Sequence, residues 1–176
     1  MNAVTIYEYL ARTRARMLDA VRLLEPEQQR RAFPIGLSTI ASTVTHMMIS
    51  EGYYADRLQG LDVPPYEQWP IRYESPPDLG VVEQVWRVQT DRVRGIVAAE
   101  RDWARPVTWV SFPDEHGRRS RIGTTSGGLF TQLALHEVHH RAQVMAMLKL
   151  LGDDLPAGAA LEDLDFNAWM FERVPL

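Results

Sequence analysis

A chain of 176 residues, 45% apolar and 24% charged, has the composition of one globular domain large enough to bury a real core. Its net charge of −4 argues against a broad nucleic-acid surface, and no apolar run approaches the roughly 18 residues that a membrane span needs. Without cysteine, disulfides, a catalytic thiol and thiolate-bound metal are excluded; the start, Met1 to Met17, lacks the apolar core of a secretory signal, so cytoplasmic residence is expected.

The first predicted helix runs from about Ala3 to Glu25, with Ile6, Leu10, Met17, Val21 and Leu24 on one face, and Pro26 follows its end. The turn-prone Phe33-Pro34-Ile35-Gly36 leads to Ser38, read as the N-cap of a second helix. That helix carries Ile40, Val44, Met47, Met48, Tyr54 and Leu58 and closes near Gly60. A proline-rich connection from Asp62 to Pro77 follows, of a length that crosses a domain end or carries function. The third helix spans about Asp78 to Arg101, with Val82, Trp86, Gln89, Val93 and Val97 as its spine. Pro106 to Val110 and Arg118 to Ile122, around Asp114-Glu115-His116-Gly117, read as a β-hairpin. Thr124 or Thr125 caps the fourth helix, which stops at Gly152 and has Leu129, Leu133, His136, His140, Val144 and Met147 as its expected buried stripe. A short helix is expected over Leu161 to Phe171. Four amphipathic helices make an all-α four-helix bundle the leading architecture, and the two long connections argue against simple up-down-up-down order.

Lys149 is the only lysine, and the arginines cluster at Arg12, Arg14 and Arg16, at Arg92 and Arg94, and at Arg118, Arg119 and Arg121. With no aromatic residues interleaved for base stacking, these clusters read as solvated faces or oligomer contacts. Ser126-Gly127-Gly128 at a helix start could cradle an anion, but no lysine follows as in a phosphate loop. No nucleophile elbow supports a serine triad.

The segment His136-Glu137-Val138-His139-His140-Arg141-Ala142-Gln143 holds three of the five histidines. His136 and His140 are four residues apart, so on a helix they point the same way, one turn apart. Five histidines at random give roughly 0.14 such pairs, so position must carry the case. Two stacked neutral imidazoles in an apolar seam lack partners, and a divalent cation supplies one to both. His46, mid-way along the second helix, is the candidate third ligand. Three neutral histidines with an open position suit zinc, nickel, iron or cobalt and fit magnesium or calcium poorly. His139, three residues from His136, offers a competing chelate on a rotated face, while His116 falls in the hairpin turn. Gln143 and Glu137 are candidates to orient a ligand imidazole from behind, and Tyr53 could bring a hydroxyl near the pocket. For Glu137 and Tyr53, a solvated helix residue and a half-buried tyrosine are the competing readings.

His46, followed by Glu51, Tyr53 and Tyr54, together with the His136 to Gln143 motif, resembles the DinB-like (YfiT-like) superfamily over nearly the whole chain. Ala142 stands where that family usually has glycine. The resemblance implies a four-helix bundle of up-down-down-up topology, here with a hairpin inserted before the fourth helix, and a divalent metal held by His46, His136 and His140. It also implies a homodimer, and a transferase or isomerase that uses a low-molecular-weight thiol such as bacillithiol or mycothiol. The thiol would have to arrive from outside, and an arginine cluster could bind its carboxylate or that of the substrate. Metal-assisted hydrolysis is the alternative chemistry, with Glu137 or Glu51 as base, although Glu51 lies about 140° round the helix from His46. A stress-associated protein with a structural, closed metal site is the third reading, and would need a fourth ligand such as Asp163 or Asp165.

Overall fold

The computed structural model describes residues 2–159, which are mostly helical with one small two-stranded antiparallel sheet. Helix α1 spans Ala3–Arg22, with the Asn2 side chain accepting the Thr5 N–H at its start. It ends before the expected Glu25, because Pro26 lacks an N–H and its ring cannot continue a helix. That proline instead opens a short new helix, α2 (Pro26–Arg30), where a fixed φ suits the first turn. Helix α3 spans Ile40–Leu58 and is capped by Thr39, whose side chain accepts the Ser42 N–H at 3.0 Å. Ser38, the expected cap, has φ 69° and closes the preceding turn; a cap needs the extended backbone found at Thr39.

Helix α4 spans Leu79–Ala99 and begins after Asp78. Strands β1 (Pro106–Val110) and β2 (Arg121–Thr125) pair with Trp109 opposite Ile122. The second strand lies three residues beyond the expected Arg118 start. Asp114 holds the turn by accepting the His116 and Arg118 N–H groups, which keeps Arg118 out of the ladder. Helix α5 spans Ser126–Leu150, capped by Thr125, whose hydroxyl accepts the Gly128 N–H. The helix expected over residues 161–171, and the aspartates at 163 and 165, lie outside the described residues.

Side-chain pairs give the relative directions of the long helices. Helices α3 and α5 are antiparallel, since His46 meets His136 while Tyr54 meets Gln132. Helices α1 and α4 are also antiparallel, with Glu8 on Arg94 and Glu83 on Arg22. Helices α3 and α4 run parallel, through Met48 to Gln89 and Asp56 to Arg92.

The apolar core is divided. One cluster gathers Met17, Val21, Met47, Trp86, Val144 and Leu148; another gathers Tyr7, Leu10, Ala55, Val93, Phe130 and Leu133. Between them lies a polar layer with buried Arg14 from α1, Glu51 from α3 and Glu137 and Arg141 from α5, joined by half-buried Gln89 from α4. Glu51 accepts from Tyr7 Oη and Trp86 Nε1 at 2.6 Å, Gln89 Nε2 at 2.7 Å and Arg14 Nη1 at 2.8 Å. Burying ionised groups costs several kcal/mol each unless they are paired and hydrogen-bonded, so these partners make the layer tolerable.

Candidate metal centre

Of the stripe expected on α5, Leu129, Leu133, Val144 and Met147 are buried, joined by Phe130, Glu137, Arg141 and Leu148, while His136 and His140 are only half-buried, at the border facing α3. That border position leaves room for a small ligand. His46 reaches the same place from α3. One ligand nitrogen from each of the three rings lies within 4.8 Å of the others, so the cluster could hold a divalent cation.

The spacing can be tested against coordination geometry. Two nitrogens about 2.0–2.1 Å from one ion, at 90° to 110°, stand roughly 2.9–3.4 Å apart. The Nε2 atoms of His46 and His136 are 3.0 Å apart. A single proton could join these two lone pairs, but a cation satisfies them together with the third ring. His140 closes the group, its ring centroid 4.7 Å from that of His46 and 4.4 Å from that of His136.

Two features keep the rings ready to ligate. Burial pushes the His46 imidazole down to about 4 and that of His136 down to about 3, with His140 adding repulsion in each case. His140 is lowered too, first by burial. All three are therefore neutral at pH 7. His140 Nδ1 bonds Gln143 Oε1 at 2.8 Å; the amide oxygen can only accept, so the proton sits on Nδ1 and Nε2 is left free. Gln143 is itself held beneath Gly36, where an added Cβ would collide with the amide group and where φ is +47°.

Other sequence candidates fall elsewhere. His139 is exposed and bonds the Gln143 amide nitrogen, outside the cluster. His116 is exposed beside Glu115. Glu137 is not a solvated residue: it is buried, its Oε2 accepts from Arg14 Nη1 at 3.4 Å, and its Oε1 is left without a partner. Burial raises its pKa, with Arg14 opposing and Glu51 adding to the rise. Glu51 is committed to its four donors. The Ser126-Gly127-Gly128 start cradles no anion, because its amides bond Arg105 O, Trp103 O and Thr125 Oγ1. Gly127 is explained by Trp103 O, 2.8 Å from where its Cβ would stand.

A cavity of about 320 Å³ opens beside His46 and is walled by Ile49, Ser50, Tyr53, Tyr54, Tyr66, Trp69 and Tyr73. The connection between α3 and α4 supplies Tyr66, Trp69 and Tyr73, which the helix periodicities could not place. Ring contacts form a closed circuit from Tyr54 through Tyr53, Trp69, Tyr66 and Tyr73 to His46, then through His136 back to Tyr54. Tyr66 Oη donates to Glu74 at 2.6 Å, pinning the connection. None of the three arginine clusters lines this cavity, so they do not receive a carboxylate there. A larger cavity of about 580 Å³ between α1 and α4 contains no histidine and is lined by charged residues. The imidazole convergence, rather than volume, identifies the chemical site. The arrangement can present a Lewis-acidic position to a small molecule whose apolar part is wrapped by rings.

No described helix is long and apolar enough to cross a membrane. The family model described as DinB family matches residues 1–170, and no curated protein matches the chain.

Proposed function

The chain belongs to the DinB family, and from that premise we propose that it is a metal-dependent transferase joining a low-molecular-weight thiol, of the bacillithiol or mycothiol type, to a small electrophile. The observation that carries this reading is the convergence of His46, His136 and His140 at the mouth of an aromatic cavity. These three would hold the cation, zinc first and nickel as the alternative. When bound, it would supply positive charge and an open position able to take a thiol as thiolate.

The chain's own residues do the rest. Gln143 fixes the His140 tautomer, and the neutral state of the three rings keeps their lone pairs available. Tyr53, Tyr54, Tyr66, Trp69 and Tyr73 seat the apolar part of the electrophile and keep water from it. With no cysteine in the chain, the nucleophilic sulfur comes from the co-substrate. The hydrolytic alternative loses its two candidate bases, because Glu51 is saturated by donors and Glu137 is buried in the polar layer. We also read the pairwise helix directions as one four-helix bundle of up-down-down-up topology formed by α1, α3, α4 and α5, in a single domain. Support comes from the parallel and antiparallel pairs already described.

The test is thiol transfer by protein purified without a histidine tag, compared with His46→Ala, His136→Ala and His140→Ala. Each variant is expected to lose both bound metal and transfer activity. Full activity in a variant shown to be metal-free would refute the reading, and metal binding without thiol transfer to any electrophile tested would favour a non-catalytic metal protein.

A further inference from the structure

Arg57, on the last turn of α3, is 7% exposed, and its Nε is buried without a hydrogen-bond partner. Among the described residues its side chain makes no hydrogen bond or ion pair. Its guanidinium carbon lies 5.2 Å from the Tyr53 ring centroid and 5.3 Å from that of Trp109. The two rings hold the guanidinium in place by stacking but accept none of its N–H groups, and only Nε is shut off from solvent.

Arg57 also lines a cavity of about 400 Å³ between the end of α3, the following connection and the hairpin. Arg119 lines it as well, exposed and anchored by Nε to Ser111 O at 3.1 Å. Asp62 stands on the rim, exposed, without pairing to Arg57. Two positive charges against one negative leave a net charge of about +1 at the cavity. Apart from Thr108, the other side chains lining it are apolar, among them Val107, Trp109 and Phe112.

We propose that Arg57 and Arg119 form a second binding site, for a small organic monocarboxylate whose apolar part packs on Trp109 and Phe112. A planar guanidinium fork matches a carboxylate in two parallel hydrogen bonds, and a net single charge suits a monoanion better than a phosphate dianion. Tyr53 lies under Arg57 and also walls the cavity beside His46, so the Tyr53 ring stands between the two cavities. This site does not depend on the metal and is tested without it.

The experiment follows thermal unfolding of protein stripped of metal and desalted, titrated with sodium benzoate, sodium acetate or inorganic phosphate, against sodium chloride at matched ionic strength. Benzoate is expected to raise the melting temperature saturably, above acetate and well above phosphate, because a ligand that binds only the native state stabilises it by mass action. Arg57→Gln should abolish that response while melting in chloride close to the wild-type temperature, since it removes no hydrogen bond or ion pair. Arg119→Gln, on an exposed residue, should keep the response with a several-fold weaker midpoint. The proposal is overturned if benzoate does no more than chloride, if phosphate exceeds benzoate, or if Arg57→Gln keeps the response. It is equally overturned if Arg57→Gln melts well below wild type in chloride or fails to fold, which would make the stacking itself the role of Arg57.

Discussion

Partial burial of His46, His136 and His140 holds each imidazole neutral, and this has a signed pH consequence. Because the His46 pKa falls from 6.5 to about 4 on folding, the unfolded chain binds protons more readily than the folded one between those values. Its contribution is therefore nil above pH 6.5 and becomes increasingly destabilising as the pH falls towards 4. Urea unfolding of metal-free protein should show wild type losing stability over that window relative to His46→Leu. Parallel curves for the two proteins would contradict the assignment. Gln143→Ala should weaken metal binding by about 10–100-fold through loss of the His140 orienting bond, read by competition with a chelating dye. Gly36→Ala should act in the same direction, because a Cβ there meets the Gln143 amide at a positive φ. Unchanged affinity in both variants would mean that the His140 tautomer needs no help.

The helices were legible from their apolar periods, and the four long ones occur where those periods place them. Their ends depended on local chemistry: Pro26 starts α2 rather than merely following α1, and Ser38 gives up the cap to Thr39 because it is in the left-handed region. The larger surprise is the polar layer between the two apolar clusters. Its signal was present in the sequence. Arg14 falls in phase between Leu10 and Met17, Glu51 between Met48 and Ala55, and Glu137 between Leu133 and Val144. Charges of both signs on buried stripes imply mutual pairing, yet Arg14 reads as part of a solvated cluster when it is grouped with Arg12 and Arg16. Breaking this pairing should be costly: Glu51→Ala leaves Arg14 only the more distant Glu137 carboxylate, at 3.4 Å, strips Tyr7 and Trp86 of their acceptor, and is expected to lower unfolding free energy by about 3–5 kcal/mol in denaturant titrations. A loss under 1 kcal/mol would show that the layer is not a joint between α1, α3 and α4.

At the scale of the molecule, α3 and α5 bring together residues 90 apart in sequence, His46 and His136, while the connection before α4 folds three aromatic rings onto the same cavity. The three-histidine cluster could be read from spacing and resemblance, because two of its members share one helix. The aromatic wall could not, because an irregular segment has no period and its side chains are placed only by tertiary contact. A cation binding across α3 and α5 in the native state alone should stabilise the whole fold. At 1,000 times its dissociation constant it adds about 4 kcal/mol, or about 8–16 °C in melting temperature for a chain of this size. Unaltered melting on metal addition would contradict that coupling. The most direct test of the central claim is X-ray absorption of the tag-free, metal-loaded protein before and after addition of a small thiol. Three imidazole nitrogens at about 2.0–2.1 Å and a light solvent ligand are expected, the latter replaced by sulfur at about 2.3 Å with zinc. Fewer than three imidazoles, or a shell that the thiol leaves unchanged, would contradict it.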